Sequence, residues 1–589
     1  MQNAECRMQN ENKKMHKENK RRCLTLVLYS AFCMLLSAWL RAAVPAPSPP
    51  PAPVSPPAAP ENTYRVPSDS EAFAALLLDA VNWIGDVYVR PVSRVELLHT
   101  ALTALYERAR RPAPRDLRRR IERAEKESAA QTAAAANTPP PLVPALAPRR
   151  PPIADDRPLL ELLRSVRADL GRGENLGGAD PLSVACQVML HSLDPYSGVI
   201  SAKEDRHALG AGPERDGFGL EVSDNGERVI ILDVLPGSPA QQAGLRRGDE
   251  IIHLHDSDGR PRSVKESLNV LNGRAPLLKP QLGAFALPEP IILTYRRNAS
   301  LSGEHQLPER CAFQEADAPR SEVRHVKLEW RRFRPESVFG VARRSDNSWN
   351  YWLDTERKIA YLRLGNLLES TPDELSDVLA DLRGDGLRGL ILDLRWCPGG
   401  MLDGSRKTAE LFLGEGTIAT IQYRNQPEDV YRSTNEDKHN DFPIVVLINS
   451  DSTGGAELIA AALQDHHRAV LIGQRTHGKG NVQKLRPLGT IVLKVTSGTI
   501  LRPNGQPLHR FPDSQPDAPW GVHPDPGHEF RVSGDLSRAL RTWYEELTLR
   551  PGSSTKRLPL DDPLIDPQRN AALEALRLTT SVDAALNHD

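Results

Sequence analysis

Residues 389–400 read Gly-Leu-Ile-Leu-Asp-Leu-Arg-Trp-Cys-Pro-Gly-Gly, and residues 444–457 read Ile-Val-Val-Leu-Ile-Asn-Ser-Asp-Ser-Thr-Gly-Gly-Ala-Glu. Each is an apolar run that stops at a glycine-rich turn. Runs with no polar alternation suit strands covered on both faces, as in a parallel sheet with helices on either side. Working outward, strand patterns at 359–364, 469–472 and 490–496 alternate with helical patterns at 372–382 and 456–466. Thr371-Pro372-Asp373-Glu374 reads as a capping box with proline at the first helical position. The fold class expected is therefore α/β, with an α/β core built on a mixed sheet over 358–530.

The two turns carry the candidate chemistry. A Pro-Gly-Gly turn at a strand end offers unobstructed backbone N–H groups, the ingredient of an oxyanion hole, although a plain tight turn explains Gly399 and Gly400 equally well. Downstream, Thr476-His477-Gly478-Lys479-Gly480-Asn481-Val482-Gln483 sets a lysine between glycines. In a closed cleft, desolvation turns such a lysine into a neutral amine base; on an open surface it is a solvated cation. Gln483 is placed to orient Lys479 if the segment is helical. The phosphate-binding loop pattern is absent, because Gly480 stands where that motif requires Ser or Thr.

Between 212 and 300 the texture changes to short strands and turns. Gly217-Phe218-Gly219-Leu220 opens a strand, and its glycines let successive N–H groups face one concavity suited to a carboxylate. The strand edge that follows is suited to pairing with an extended peptide. Val264, Leu268 and Leu271, at helical spacing, would wall a side-chain pocket or simply belong to the core.

Gly217–Leu220 followed by PGSPAQQAGLRRGDEI resembles a bacterial PDZ domain, which captures free C-termini or extended peptides. Over about 400 residues the body resembles the carboxyl-terminal processing (tail-specific) serine peptidases. MLHSLDPYSG, IAYLRLGNL, LILDLRWCPGG, AELIAAALQDHHRAVLIGQRTHGKGNVQ, TILRPNGQPLHR and WGVHPD carry that likeness in a shared order. The resemblance implies a Ser/Lys dyad that cleaves near protein C-termini, a PDZ domain controlling entry, and no metal or organic cofactor. Lys479 matches the general base and Gln483 its partner. Gly399 or Gly400 matches the first oxyanion donor and Gly455 the donor after the nucleophile. The serine does not carry over: three residues before Glu457 the chain has Gly454, and Trp396-Cys397 replaces the two polar residues usual before the Pro-Gly-Gly turn. A neighbouring hydroxyl, Ser452 or Thr453, is then the candidate nucleophile, or else a cap on the following helix. The function expected is a serine endopeptidase acting on unstructured tails through a hydroxyl/Lys dyad. The alternative is a PDZ-based peptide-binding scaffold without turnover.

The remaining chain frames this body. Its 589 residues carry 75 Lys+Arg against 76 Asp+Glu, which argues against a nucleic-acid partner. Six cysteines without paired short spacing support neither a zinc ribbon nor a disulfide scaffold. A basic tail at 1–22 precedes an uncharged run at 23–40, long enough to cross a bilayer as a single anchor, with the bulk of the chain extracytoplasmic; a cleaved signal peptide is the rival reading, since Ala42 and Ala43 follow the run. A Pro/Ala-rich spacer at 41–63 follows. Helical patterns are expected at 64–107 and 157–211, a disordered Arg/Ala/Pro-rich insertion at 108–156, connecting strands at 301–357 and a helical tail at 531–589. The partners expected are peptides with free C-termini and, through the anchor, a membrane.

Overall fold

The structure, a computed structural model, describes residues 69–136, 156–171, 180–201, 214–224, 228–265, 267–272, 290–297, 322–344, 348–434, 441–515, 517–549 and 566–586. Helices α1 (Asp69–Val87), α2 (Arg94–Arg108), α3 (Leu117–Ala136), α4 (Arg157–Leu170) and α5 (Pro181–His191) form the first part of the body. Local chemistry starts them: the Asp180 side chain accepts from the Leu182 N–H ahead of a proline in the first turn of α5. Helix α3 departs from the expected disordered insertion. Leu117, Ile121 and Ala124 recur at helical spacing and are buried in the same cluster as Leu98, Leu102 and Leu163, so an Arg-rich segment still has one apolar face to bury.

The stretch that resembles a PDZ domain, the PDZ unit, follows as an antiparallel sheet in the order β1 (Leu220–Asp224), β2 (Val229–Val234), β3 (Glu250–His255), β4 (Ile291–Arg297), β5 (Glu322–Leu328). Across its face lies a single helical turn, α6 (Leu268–Leu271). Strand Arg331–Phe333 then pairs back with Arg215–Gly217, tying the unit's exit to its entrance.

The α/β core is a sheet in the order β6 (Val338–Phe339), β7 (Ile359–Leu364), β8 (Gly389–Asp393), β9 (Ile444–Ile448), β10 (Ala469–Gly473). Strands β7 to β10 are parallel, and β6 is antiparallel to β7. Alternate side chains serve two cores. Ala360, Leu362, Leu390, Leu392, Val446 and Ile448 join α7 (Thr371–Gly384), α8 (Leu402–Glu410) and α9 (Gly455–Asp465). Tyr361, Ile391, Val445 and Leu447 face α10 (Gly534–Leu549) and α11 (Pro567–Leu586). Strands covered on both faces explain the uninterrupted apolar runs. At α7 the expected capping box is not formed. The Glu374 carboxylate instead accepts from the N–H groups of Ser337 and Val338 at the start of β6.

A long hairpin, β11 (Asn481–Leu488) and β12 (Ile491–Leu501), leaves the core. Its Leu488, Ile491, Leu493 and Val495 are buried with the helices α1 to α5. Gln483 thus lies on a strand, so its spacing from Lys479 is not one turn of helix. The expectation of a single-pass membrane protein with its bulk extracytoplasmic is corrected: among the described residues no helix is long and apolar enough to cross a membrane. The run at 23–40, like the basic tail and the spacer, lies outside the described residues.

Candidate active site

In open α/β sheets, ligand sites gather at the carboxyl ends of the parallel strands. Three loops meet there: 394–401 after β8, 449–454 after β9, and 474–480 after β10.

The first loop approaches the second so closely that only glycine fits. A Cβ on Gly399 (φ +78°) would lie 2.5 Å from the Thr453 carbonyl oxygen and 2.7 Å from the Gly455 nitrogen. One on Gly400 would lie 2.0 Å from the Leu367 carbonyl oxygen, and one on Gly455 2.0 Å from Ser405 Oγ. Gly455 opens α9, so its N–H is one of the unpaired donors of a helix N-terminus. The structure therefore brings Gly399 against Gly455, while Gly400, the next residue, is pressed against Leu367. Beside them, burial pushes the Cys397 thiol up to about 12, and its Sγ donates to the Gly365 carbonyl at 2.8 Å. It is inert as a nucleophile.

The second loop is a strand–turn–helix elbow with Gly454 at its apex, at φ +59° and ψ −109°. Strained elbows of this shape expose a nucleophile above a sheet. A Cβ on Gly454 would find nothing closer than the Lys479 carbonyl oxygen at 3.9 Å. The apex thus has room for a side chain and carries none.

Ser452 and Thr453 turn elsewhere. The buried Ser452 Oγ accepts from the Asn449 N–H at 3.0 Å and donates to the Leu394 carbonyl at 2.8 Å, stitching the second loop to the first. Thr453 Oγ1 donates to the Asp451 carbonyl at 2.9 Å. Neither hydroxyl is hydrogen-bonded to Lys479: Thr453 satisfies a backbone group of its own turn, and Ser452 is held both by its own turn and by the first loop.

Lys479, in the third loop, is half-buried. Burial lowers the pKa of its amine, the Lys494 charge lowers it further, and Glu457 opposes both. Among the described residues its Nζ makes no hydrogen bond; the Tyr196 ring lies 5.4 Å away. Gln483 Nε2 donates to Thr496 Oγ1 at 2.9 Å, and its buried Oε1 has no hydrogen-bond partner among the described residues. His509 is packed edge-on against Tyr196 and Phe511, and burial depresses it to about 4, so it is neutral near pH 7.

Glu457 joins the loops. Fully buried on α9, its carboxylate accepts from Gly454 N–H (2.9 Å), Thr476 Oγ1 (2.6 Å), Gly478 N–H (2.6 Å) and Lys479 N–H (2.8 Å). Burial raises its pKa, and these four donors counter the rise. In the sequence Glu457 served only to place position 454. Tyr196, in MLHSLDPYSG, and His509, in TILRPNGQPLHR, carry no local signal of a role, and long-range packing alone brings Tyr196 to Lys479 and His509 to Tyr196.

In the PDZ unit, Phe218 is fully buried edge-on against Trp330, and Gly219 (φ +76°) is pressed against Ser238, where a Cβ would lie 2.1 Å away. Gly217 closes the entry strand opposite Arg331. Leu220 begins β1 and is buried. Val264 and Leu268 are partly buried at the rim of the PDZ core. Leu271 is wholly buried within that core.

The peptidase family S41 model matches residues 358–525, and the PDZ domain model matches residues 208–272. A carboxy-terminal-processing protease of Bartonella bacilliformis is 28% identical over 326 residues, 54% of this chain and 64% of that protein. The carboxy-terminal processing protease CtpA of Bacillus subtilis is 27% identical over 334 residues, 55% of this chain and 61% of that protein. The chain thus spans less than two thirds of either relative. Among solved structures, a photosystem II D1 C-terminal processing protease is 20% identical, with a TM-score of 0.36, covering 83% of this chain and 99% of that one. The chain is thus similar to the carboxy-terminal processing proteases, with a peptidase family S41 match over its α/β core and a PDZ match ahead of it.

Proposed function

We propose that this chain takes hold of the free C-terminal tails of unfolded proteins. The PDZ unit captures the carboxylate at Gly217–Leu220, and the cleft holds the tail extended between the glycine turns and Lys479. Support comes from three loops that converge at the strand ends, where the Gly454 N–H, next to the Gly455 N–H that opens α9, and the Lys479 N–H share the Glu457 carboxylate. Such an arrangement suits a peptide carbonyl, with donors for its oxygen and, at its side, an amine whose cation burial disfavours.

A held tail is either cut or retained, and one observation favours retention: the elbow apex is Gly454. The family's route begins with attack by a side-chain oxygen, and glycine has none. For Ser452 to serve instead, its hydrogen bonds to Asn449 and Leu394 would have to break. A displacement of about 1 Å at the reacting atoms already costs on the order of a hundredfold in rate.

Full-length protein mixed with a labelled peptide ending in a free carboxylate tests capture. The peptide binds, its amidated form binds at least about tenfold more weakly, and it stays intact through long incubation. Equal binding of the two forms overturns the capture reading.

A further inference from the structure

Strand β1 ends the PDZ sheet, so one of its edges has no strand beside it among the described residues. Such an edge is where an extended peptide adds to a sheet, through paired backbone N–H and C=O groups. At Val222 those groups are already engaged. The Val222 N–H donates to Asn272 Oδ1 at 2.7 Å, and Asn272 Nδ2 donates to the Val222 carbonyl at 3.3 Å. Asn272 caps the C-terminal end of α6, its own N–H bonded to the Leu268 carbonyl. It therefore reaches from the helical wall across to the strand.

A carboxamide carries the same donor and acceptor as a peptide unit. In an antiparallel pair, a residue exchanges both of its hydrogen bonds with a single residue opposite. Asn272 makes that exchange with Val222 from a side chain.

We infer that Asn272 is an internal competitor for the PDZ groove, occupying the strand-edge position that a captured tail must take. The inference rests on the reading that this unit binds free C-termini. The Gly217–Leu220 turn lies upstream of Val222, so a carboxylate can dock there before Asn272 is displaced. Completing the strand then requires the tail to return both hydrogen bonds to Val222. A tail residue with no N–H, such as proline, at the position opposite Val222 cannot do so. Asn272 thus sets both the affinity of the groove and a requirement on the backbone of its ligand.

Full-length protein and its Asn272→Ala and Asn272→Asp variants test this with a fluorescein-labelled decapeptide ending in a free carboxylate. Two neutral hydrogen bonds no longer have to be broken in Asn272→Ala, which binds about tenfold more tightly. Asn272→Asp keeps the acceptor, loses the donor and falls between. Hydrogen exchange, read on fragments spanning Val222, is slow at that amide in the free wild-type protein and fast in Asn272→Ala. Fast exchange in the wild type overturns the inference without any peptide. Equal or weaker peptide binding by Asn272→Ala overturns it and leaves tail capture standing. Absence of binding by all three proteins overturns tail capture and the competitor together.

Discussion

Gly454 adopts φ +59° and ψ −109°, a conformation that costs a residue with a side chain about 1–3 kcal/mol. Its Cβ position is nonetheless open. Gly454→Ser is therefore predicted to lower unfolding stability by about 1–3 kcal/mol in urea titration while placing a hydroxyl at the apex of the elbow. That hydroxyl becomes the one serine labelled by a fluorophosphonate, and labelling is lost in Gly454→Ser/Lys479→Ala. In the Gly454→Ser protein, labelling increases with pH as the Lys479 amine deprotonates. Its midpoint lies below that of an exposed lysine, because burial and Lys494 both disfavour the cation. Glycines and a lysine at fixed spacing are legible in a sequence, since short turns impose them. The engagement of Ser452 is not, because its acceptor, the Leu394 carbonyl, lies far away in the chain.

Strand and helix types followed from the sequence wherever both faces of an element are buried, as in β8 and β9. They did not where tertiary packing overrides composition. Helix α3 was hidden by its arginines, and Gln483 sits on β11 because that segment pairs with β12 along a hairpin. The loop junction depends on one carboxylate. Hydrogen bonds to a charged group are worth about 1.5–3 kcal/mol each, and Glu457 accepts four. Glu457→Ala is predicted to lose about 3 kcal/mol or more of stability and to speed hydrogen exchange at Gly478 and Lys479. A stability loss without faster exchange there would mean that Glu457 does not hold the third loop.

At the scale of the molecule, the C-terminal helices are locked to the core sheet through Arg395. Its guanidinium, fully buried, pairs with Asp393 at 2.6 Å and Asp566 at 2.8 Å, while Tyr361 and Tyr544 donate to those two carboxylates. Burial alone would raise Asp566, but the charges of Arg395 and Arg569 and the donated hydrogen bonds hold it down to about 2. A carboxyl depressed in the folded state adds stability above its unfolded pKa, near 3.9, and loses it as pH falls toward the folded value. Stability is thus predicted to drop between about pH 4 and pH 2. Arg395→Met, which strands two buried carboxylates, is predicted to cost about 3–5 kcal/mol at neutral pH. None of this is legible in the sequence, because Arg395 and Asp566 meet only once α11 packs on β8. The account as a whole stands on what becomes of a captured tail. Incubating the wild-type, Gly454→Ser, Gly454→Ser/Lys479→Ala and Ser452→Ala proteins with an unfolded substrate, and following its C-terminal fragments by mass spectrometry, tests this most directly. The prediction is an intact substrate with the wild type and Ser452→Ala, and Lys479-dependent cleavage with Gly454→Ser. Cleavage by the wild-type protein that disappears in Ser452→Ala would contradict it.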